Sequence, residues 1–161
     1  MADSKIGATA TFFILAGVLA AIDQLTKYLV VGAIPLNTGI AVIPGFFNIV
    51  HVQNTGGAFS LFAASGYPWR QYIFMGLTVL VIAAIAYAYG KVGKGDNWTR
   101  IAYICITGGA VGNLIDRIRL RQVTDFLDFY VGSWHWPAFN VADAAISTGA
   151  VMLLVSLLRK K

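Results

Sequence analysis

The stretch Gly108–Asp143, GGAVGNLIDRIRLRQVTDFLDFYVGSWHWPAFNVAD, holds four of the seven acidic residues of a 161-residue chain. Asp116 closes an apolar run, Asp125 and Asp128 lie in a connecting segment, and Asp143 stands just inside the next apolar run. Ionisable side chains at the ends of hydrophobic spans are costly to hold near hydrocarbon, so their concentration marks a functional site. The alternation over residues 122–130 predicts an extended segment with Val123, Asp125, Leu127 and Phe129 on one face and Asp128 on the other. Asn140 is placed to cap the helix that follows, with Asp143 in the reciprocal capping-box position. Capping alone would account for Asp143.

Working outward, the composition is 58% hydrophobic and 12% charged with a mean hydropathy of +0.71. Soluble globular chains carry about 25% charged residues, so the whole of 1–161 reads as a single integral membrane domain. The net charge of +5 does not indicate nucleic acid, because the basic residues neither cluster on one helix face nor interleave with aromatics. Cys105, the single cysteine, sits in an apolar run, so there is neither a disulfide framework nor a metal-ligand set, and no cofactor is expected.

Four apolar runs are long enough to cross a bilayer, at about residues 7–31, 71–90, 100–118 and 141–158. The fold class expected is a mainly α membrane protein of four transmembrane helices with a small extramembrane β-sheet on its outer face. The outer loops are 32–70 and 119–140, and Phe46–Val52 in the first is short, β-branched and aromatic, as a strand would be. His51, with no second ligand at metal spacing, reads as an interfacial strand residue, and His135, between Trp134 and Trp136, as a headgroup-layer side chain. Asp23 and Lys27, four apart near the end of the first span, can pair as an interfacial anchor or serve the active site. Gly108 and Gly112 form a small-xxx-small pattern, explained equally by close helix packing or by room for a substrate. Lys5, Lys91, Lys94, Arg100, Arg159, Lys160 and Lys161 lie at the termini and the middle loop, which makes that side cytoplasmic. Gly66 and Ser133 are then external, with every candidate carboxylate on their side.

Five ordered motifs resemble the bacterial lipoprotein signal peptidases, also called signal peptidase II or prolipoprotein signal peptidase. They are Asp23-Gln24-Leu25-Thr26-Lys27, Asn54-Thr55-Gly56-Gly57-Ala58-Phe59, Gly108 through Arg117, Val123-Thr124-Asp125-Phe126 and Phe139-Asn140-Val141-Ala142-Asp143. The resemblance implies an inner-membrane aspartyl endopeptidase that removes the signal peptide of diacylglyceryl-modified prolipoproteins just before the lipidated cysteine. It implies Asp125 and Asp143 as the catalytic pair. Asp23, Lys27, Asn54, Gly56, Asn113, Asp116, Arg117 and Asn140 match positions that support the pair or place the substrate. The partners implied are prolipoproteins and membrane lipids, and the oligomeric state stays open. Two departures stand out: Arg121-Gln122 replaces a glycine and a bulky residue found in many relatives, and Ala144 replaces a common serine.

The residues themselves agree with that chemistry. No serine with a histidine base is recognisable, whereas two carboxylates from separate segments can activate a water and protonate a leaving amine. Arg117 and Asn54 are candidates to hold substrate carbonyls, with a plain Asp116/Arg117 interaction as the rival for Arg117. A proton-conducting transporter would spread its acids through the membrane depth rather than gather them at one face. A non-catalytic assembly subunit would explain the glycines but not the acids.

Overall fold

The computed structural model describes residues 2–56, 69–93 and 95–159. Expectations that fall on Gly57, Ala58, Phe59, Gly66, Lys94, Lys160 and Lys161 lie outside the described residues. The chain runs α1 (Ala2–Ala33), β1 (Gly39–Ile43), β2 (Phe47–Asn54), α2 (Trp69–Tyr89), α3 (Asn97–Leu120), β3 (Val123–Val131), β4 (Trp134–His135) and α4 (Val141–Arg159). All four helices contain a stretch long and apolar enough to cross a membrane. The strands form one antiparallel sheet in the order β1-β2-β3-β4.

α3 is the central helix, and its glycines are packing devices. A Cβ on Gly109 would collide with the carbonyl of Ala142 on α4, and one on Gly112 would lie 2.6 Å from Asp23 Oδ2 on α1. Of the two explanations open for the glycine pattern, close approach of helices is the one this geometry meets. Lipid-facing surface accounts for the rest: Leu77, Leu80 and Tyr87 on α2 and Leu154, Leu157 and Leu158 on α4 are exposed.

Contacts define two ends. Phe12 on α1 meets Tyr89 at the end of α2, with ring centroids 4.3 Å apart. Trp98, at the start of α3, donates to the Met152 carbonyl of α4 at 2.8 Å. The first part of α1 and the last part of α4 therefore share one end of the bundle, while the sheet, the close of α3 and the start of α4 meet at the other.

The helix boundaries follow local chemistry. Asp96 caps α3 by accepting the Thr99 N–H at 3.0 Å. Arg121 ends that helix with φ 59°, and its N–H bonds back to the Arg117 carbonyl at 3.1 Å. That left-handed conformation suits glycine, the residue that the resemblance leads one to expect there. The arginine adopts it nonetheless, and β3 begins two residues later.

Candidate active site

Five segments converge at the sheet end. Asn140 closes a full capping box on α4: its Oδ1 accepts the Asp143 N–H at 2.9 Å, and its own N–H reaches Asp143 Oδ2 at 3.3 Å. The same side chain turns its Nδ2 to Asp125 Oδ1, 2.7 Å away on β3. Asn113 of α3 complements it by donating to Asp143 Oδ1 at 2.8 Å and accepting Lys27 Nζ at 3.0 Å. Asn54, the last residue of β2, donates to Asp125 Oδ2 at 3.0 Å and accepts the Gly56 N–H at 2.8 Å. Both oxygens of Asp125 thus receive an amide hydrogen.

Behind this pair lies a buried charge cluster. Lys27 Nζ stands 2.8 Å from Asp23 Oδ2 and 2.9 Å from Asp116 Oδ2. Asp23 Oδ1 also accepts the Ala142 N–H at 2.9 Å, so a carboxylate of α1 supports the first turn of α4. Asp116 accepts the Thr124 N–H at 3.1 Å, fixing the start of β3 one residue before the catalytic candidate Asp125. Asp23 and Lys27 are therefore buried within this cluster behind the carboxylate pair. Gln24, which sequence reasoning passed over, joins the cluster through Nε2 to Asp116 Oδ1 at 2.8 Å and to the Gly112 carbonyl at 3.1 Å. The available signal was its place between the two charged residues of the first motif.

Arg117 takes a different course from Asp116. Asp116 is committed to Lys27, Gln24 and Thr124, and among the described residues no ion pair joins it to Arg117. The guanidinium lies over the Phe74 ring, 5.7 Å from its centroid, and its buried Nε has no hydrogen-bond partner among the described residues. It borders a groove of about 300 Å³ between α2, α3 and α4, whose walls include Phe74, Leu77, Ile106, Asn113, Asp143 and Ile146. A second groove of about 350 Å³ leaves Asp143 on the other side of α4, past Trp136, Phe139, Ala144 and Ser147. Asp143 belongs to both.

Asp125 is almost wholly buried. Burial first, and the charge of Asp143 second, push its carboxyl from 3.8 up to about 7, against the pull of Asn54, Asn140 and Lys27. Asp128 projects from the opposite face, as the alternation predicts, and there accepts Asn48 Nδ2 at 2.8 Å and His135 Nδ1 at 2.9 Å. His135 thus clamps the β3–β4 hairpin and lies outside the carboxylate pair. His51 is buried too, with its Nδ1 at 2.8 Å from the Ile34 carbonyl. Among the described residues no group of three His, Cys, Asp or Glu side chains gathers in a way that would hold a metal ion.

The family model described as signal peptidase (SPase) II matches residues 15–159. The chain belongs to the signal peptidase II family. A lipoprotein signal peptidase of Nitratidesulfovibrio vulgaris is 46% identical over 146 residues, covering 91% of this chain and 88% of that protein. One from Serratia marcescens is 48% identical over 149 residues, covering 91% and 85%. A bacterial membrane enzyme solved by the in meso method superposes with a TM-score of 0.82 at 29% identity, covering 93% of this chain and 88% of that one. The chain is accordingly a multi-pass membrane peptidase of the family that removes signal peptides from prolipoproteins. Its family motifs are the ones that supply the converging side chains, from Asp23 to Asp143.

Proposed function

We propose that this signal peptidase is an aspartyl endopeptidase working as one domain, and that it cuts diacylglyceryl-modified prolipoproteins just before the lipidated cysteine. The observation that carries this reading is the pair Asp125 and Asp143, cross-tied by the amides of Asn140 and Asn113, with Asp143 at the rim of two apolar grooves. Two carboxylates in one pocket share a proton, and the rise of Asp125 to about 7 makes it the holder. Asp143, in the first turn of α4 where free N–H groups favour an anion, is the base. It takes a proton from water, whose oxygen attacks the scissile carbonyl carbon while Asp125 donates to the carbonyl oxygen. Collapse of the tetrahedral species breaks the C–N bond, and the amino group of the lipidated cysteine leaves with a proton from the pair.

A substrate with a lipid on one side of the scissile bond and a hydrophobic signal helix on the other needs two apolar paths from the same point. The two grooves that part at Asp143 meet that need, and Arg117 supplies hydrogen-bond donors for substrate carbonyls at the mouth of one. Confinement of the diacylated cysteine to the bilayer raises its effective concentration at a site in the same layer. Lys91, Arg100 and Arg159 gather at the end that carries the termini, which supports cytoplasmic termini and a site near the outer face of the inner membrane.

Mass spectrometry of a diacylglyceryl-modified precursor peptide incubated with the purified chain tests the reading. Wild type releases the signal peptide at the bond before the cysteine. Asp125→Asn and Asp143→Asn each lose at least about 100-fold in rate while remaining folded, the scale of a lost general acid or base. Near-wild-type rates in both variants, or activity abolished by EDTA and restored by zinc, would rule the mechanism out.

A further inference from the structure

β2 does not pair evenly with β3. Ile49 stands opposite Leu127 but Val52 opposite Asp125, so the two residues Val50 and His51 face the single residue Phe126. A two-for-one bulge of this kind shifts the register by one and changes which face every later side chain takes. Beyond it, Asn54 pairs with Val123, two residues from Asp125 and on the same face, and its amide reaches Asp125. In an unbulged strand Gln53 would occupy that face, and Asn54 would point away from the carboxylate.

His51 is the residue bound into the bulge. Its backbone N–H donates to the Thr38 carbonyl at 2.9 Å, and its own carbonyl accepts the Asn37 N–H at 2.8 Å. Its ring is buried, and Nδ1 lies 2.8 Å from the Ile34 carbonyl just past the end of α1, which fixes a hydrogen on Nδ1. Three groups of one residue therefore fasten the bulge to the turn that leaves α1, the helix that carries Asp23 and Lys27.

We propose that His51 is a positioning residue for the cleavage reaction: it holds the β2 bulge against the end of α1 and so keeps the Asn54 amide on the face that carries Asp125. The inference rests on the aspartyl reading of Asp125 and Asp143. Its signature is chemical as well as structural. The bond from Asn54 favours the ionised form of Asp125, so its loss raises the proton affinity of that carboxyl. The other charged groups facing Asp125 are Asp143 from α4, Lys27 from α1 and Arg117 from α3, and the substitutions leave them in place. Since Asp125 is the proton donor, its deprotonation sets the alkaline limb of the kcat/KM profile.

The test is that profile, measured between about pH 5 and 9 with the full-length chain and a diacylglyceryl-modified precursor peptide. His51→Leu and His51→Phe remove the ring donor, His51→Asn retains one near the Nδ1 position, and Asn54→Ala removes the amide. The expectation for His51→Leu and Asn54→Ala is a loss of about tenfold in kcat/KM and an alkaline limb moved up by about one to two pH units, the worth of one hydrogen bond to a charged group. The double variant should resemble either single one, because both break the same link. His51→Asn should return the limb to its wild-type position. A wild-type limb in His51→Leu or His51→Phe, or losses that multiply in the double variant, would overturn the inference. So would failure of both donor-less variants to accumulate while Asn54→Ala accumulates normally, since His51 would then serve the fold alone. Activity in Asp125→Asn would remove the aspartyl reading itself, whereas an inactive Asp125→Asn beside a wild-type His51→Leu profile removes only the role of His51.

Discussion

The side chain of Asn140 caps α4 with its oxygen and holds Asp125 with its nitrogen, so the spacing between helix start and carboxylate pair is set within one amide. The capping box was legible in the sequence, because Asn140 and Asp143 have the required spacing. The link to Asp125 was not, since it joins residues fifteen apart through a fold that only the sheet register defines. Asp125 also carries a thermodynamic signature. Its folded value of about 7 lies above the ordinary 3.8, so between those pH values the native state keeps a proton that the unfolded chain has released. The stability it contributes is present below about pH 4 and is lost as pH rises through about 7, a swing on the order of 4 kcal/mol at most. Thermal unfolding in detergent should show a higher midpoint at pH 5 than at pH 8, with the difference reduced in Asp125→Asn. An unchanged difference would remove Asp125 as its source.

The helices were legible from apolar run length, though their ends moved. α3 spans Asn97–Leu120 rather than 100–118, because the Asp96 cap and the left-handed Arg121 lengthen it at both ends. β1 escaped notice, as its five residues are all exposed and show no alternation of burial. The left-handed Arg121 costs about 1 kcal/mol relative to glycine. Arg121→Gly should therefore leave activity intact and raise stability by up to about 1 kcal/mol, read as an increased unfolding midpoint. Gly112 makes the opposite prediction. A methyl group there meets Asp23 Oδ2 at 2.6 Å, so Gly112→Ala must displace the carboxylate that holds Lys27 and the start of α4. A loss of about 3 kcal/mol or more in stability is expected, the scale of a broken buried ion pair. Gly112→Ala with wild-type stability would show that Asp23 can be moved at no cost.

The bundle has a polar, acid-bearing end and an end where Lys91, Arg100 and Arg159 collect around the termini. Charge asymmetry in the sequence is what leads to the expectation that this basic end is cytoplasmic, because loop charge biases orientation. Introduced cysteines test that orientation: position 133 should react with an impermeant thiol reagent in intact cells, and position 93 only after lysis. Labelling at 93 in intact cells would reverse the topology. The partition of space around Asp143, by contrast, was invisible in the sequence, since each groove draws its walls from elements distant along the chain.

Lys27, held between Asp23 and Asp116, also bears on how the molecule is made. α1, which is made before α3, brings Asp23 and its cation four residues apart, paired within one segment. α3 brings Asp116, to which, among the described residues, no cation of its own helix is bound, and it is the least apolar of the four candidate spans. Docking against α1 supplies the cation from Lys27, 89 residues earlier in the chain. The carboxylate of the central helix is thus neutralised only in the assembled pair, by a charge that α1 carries.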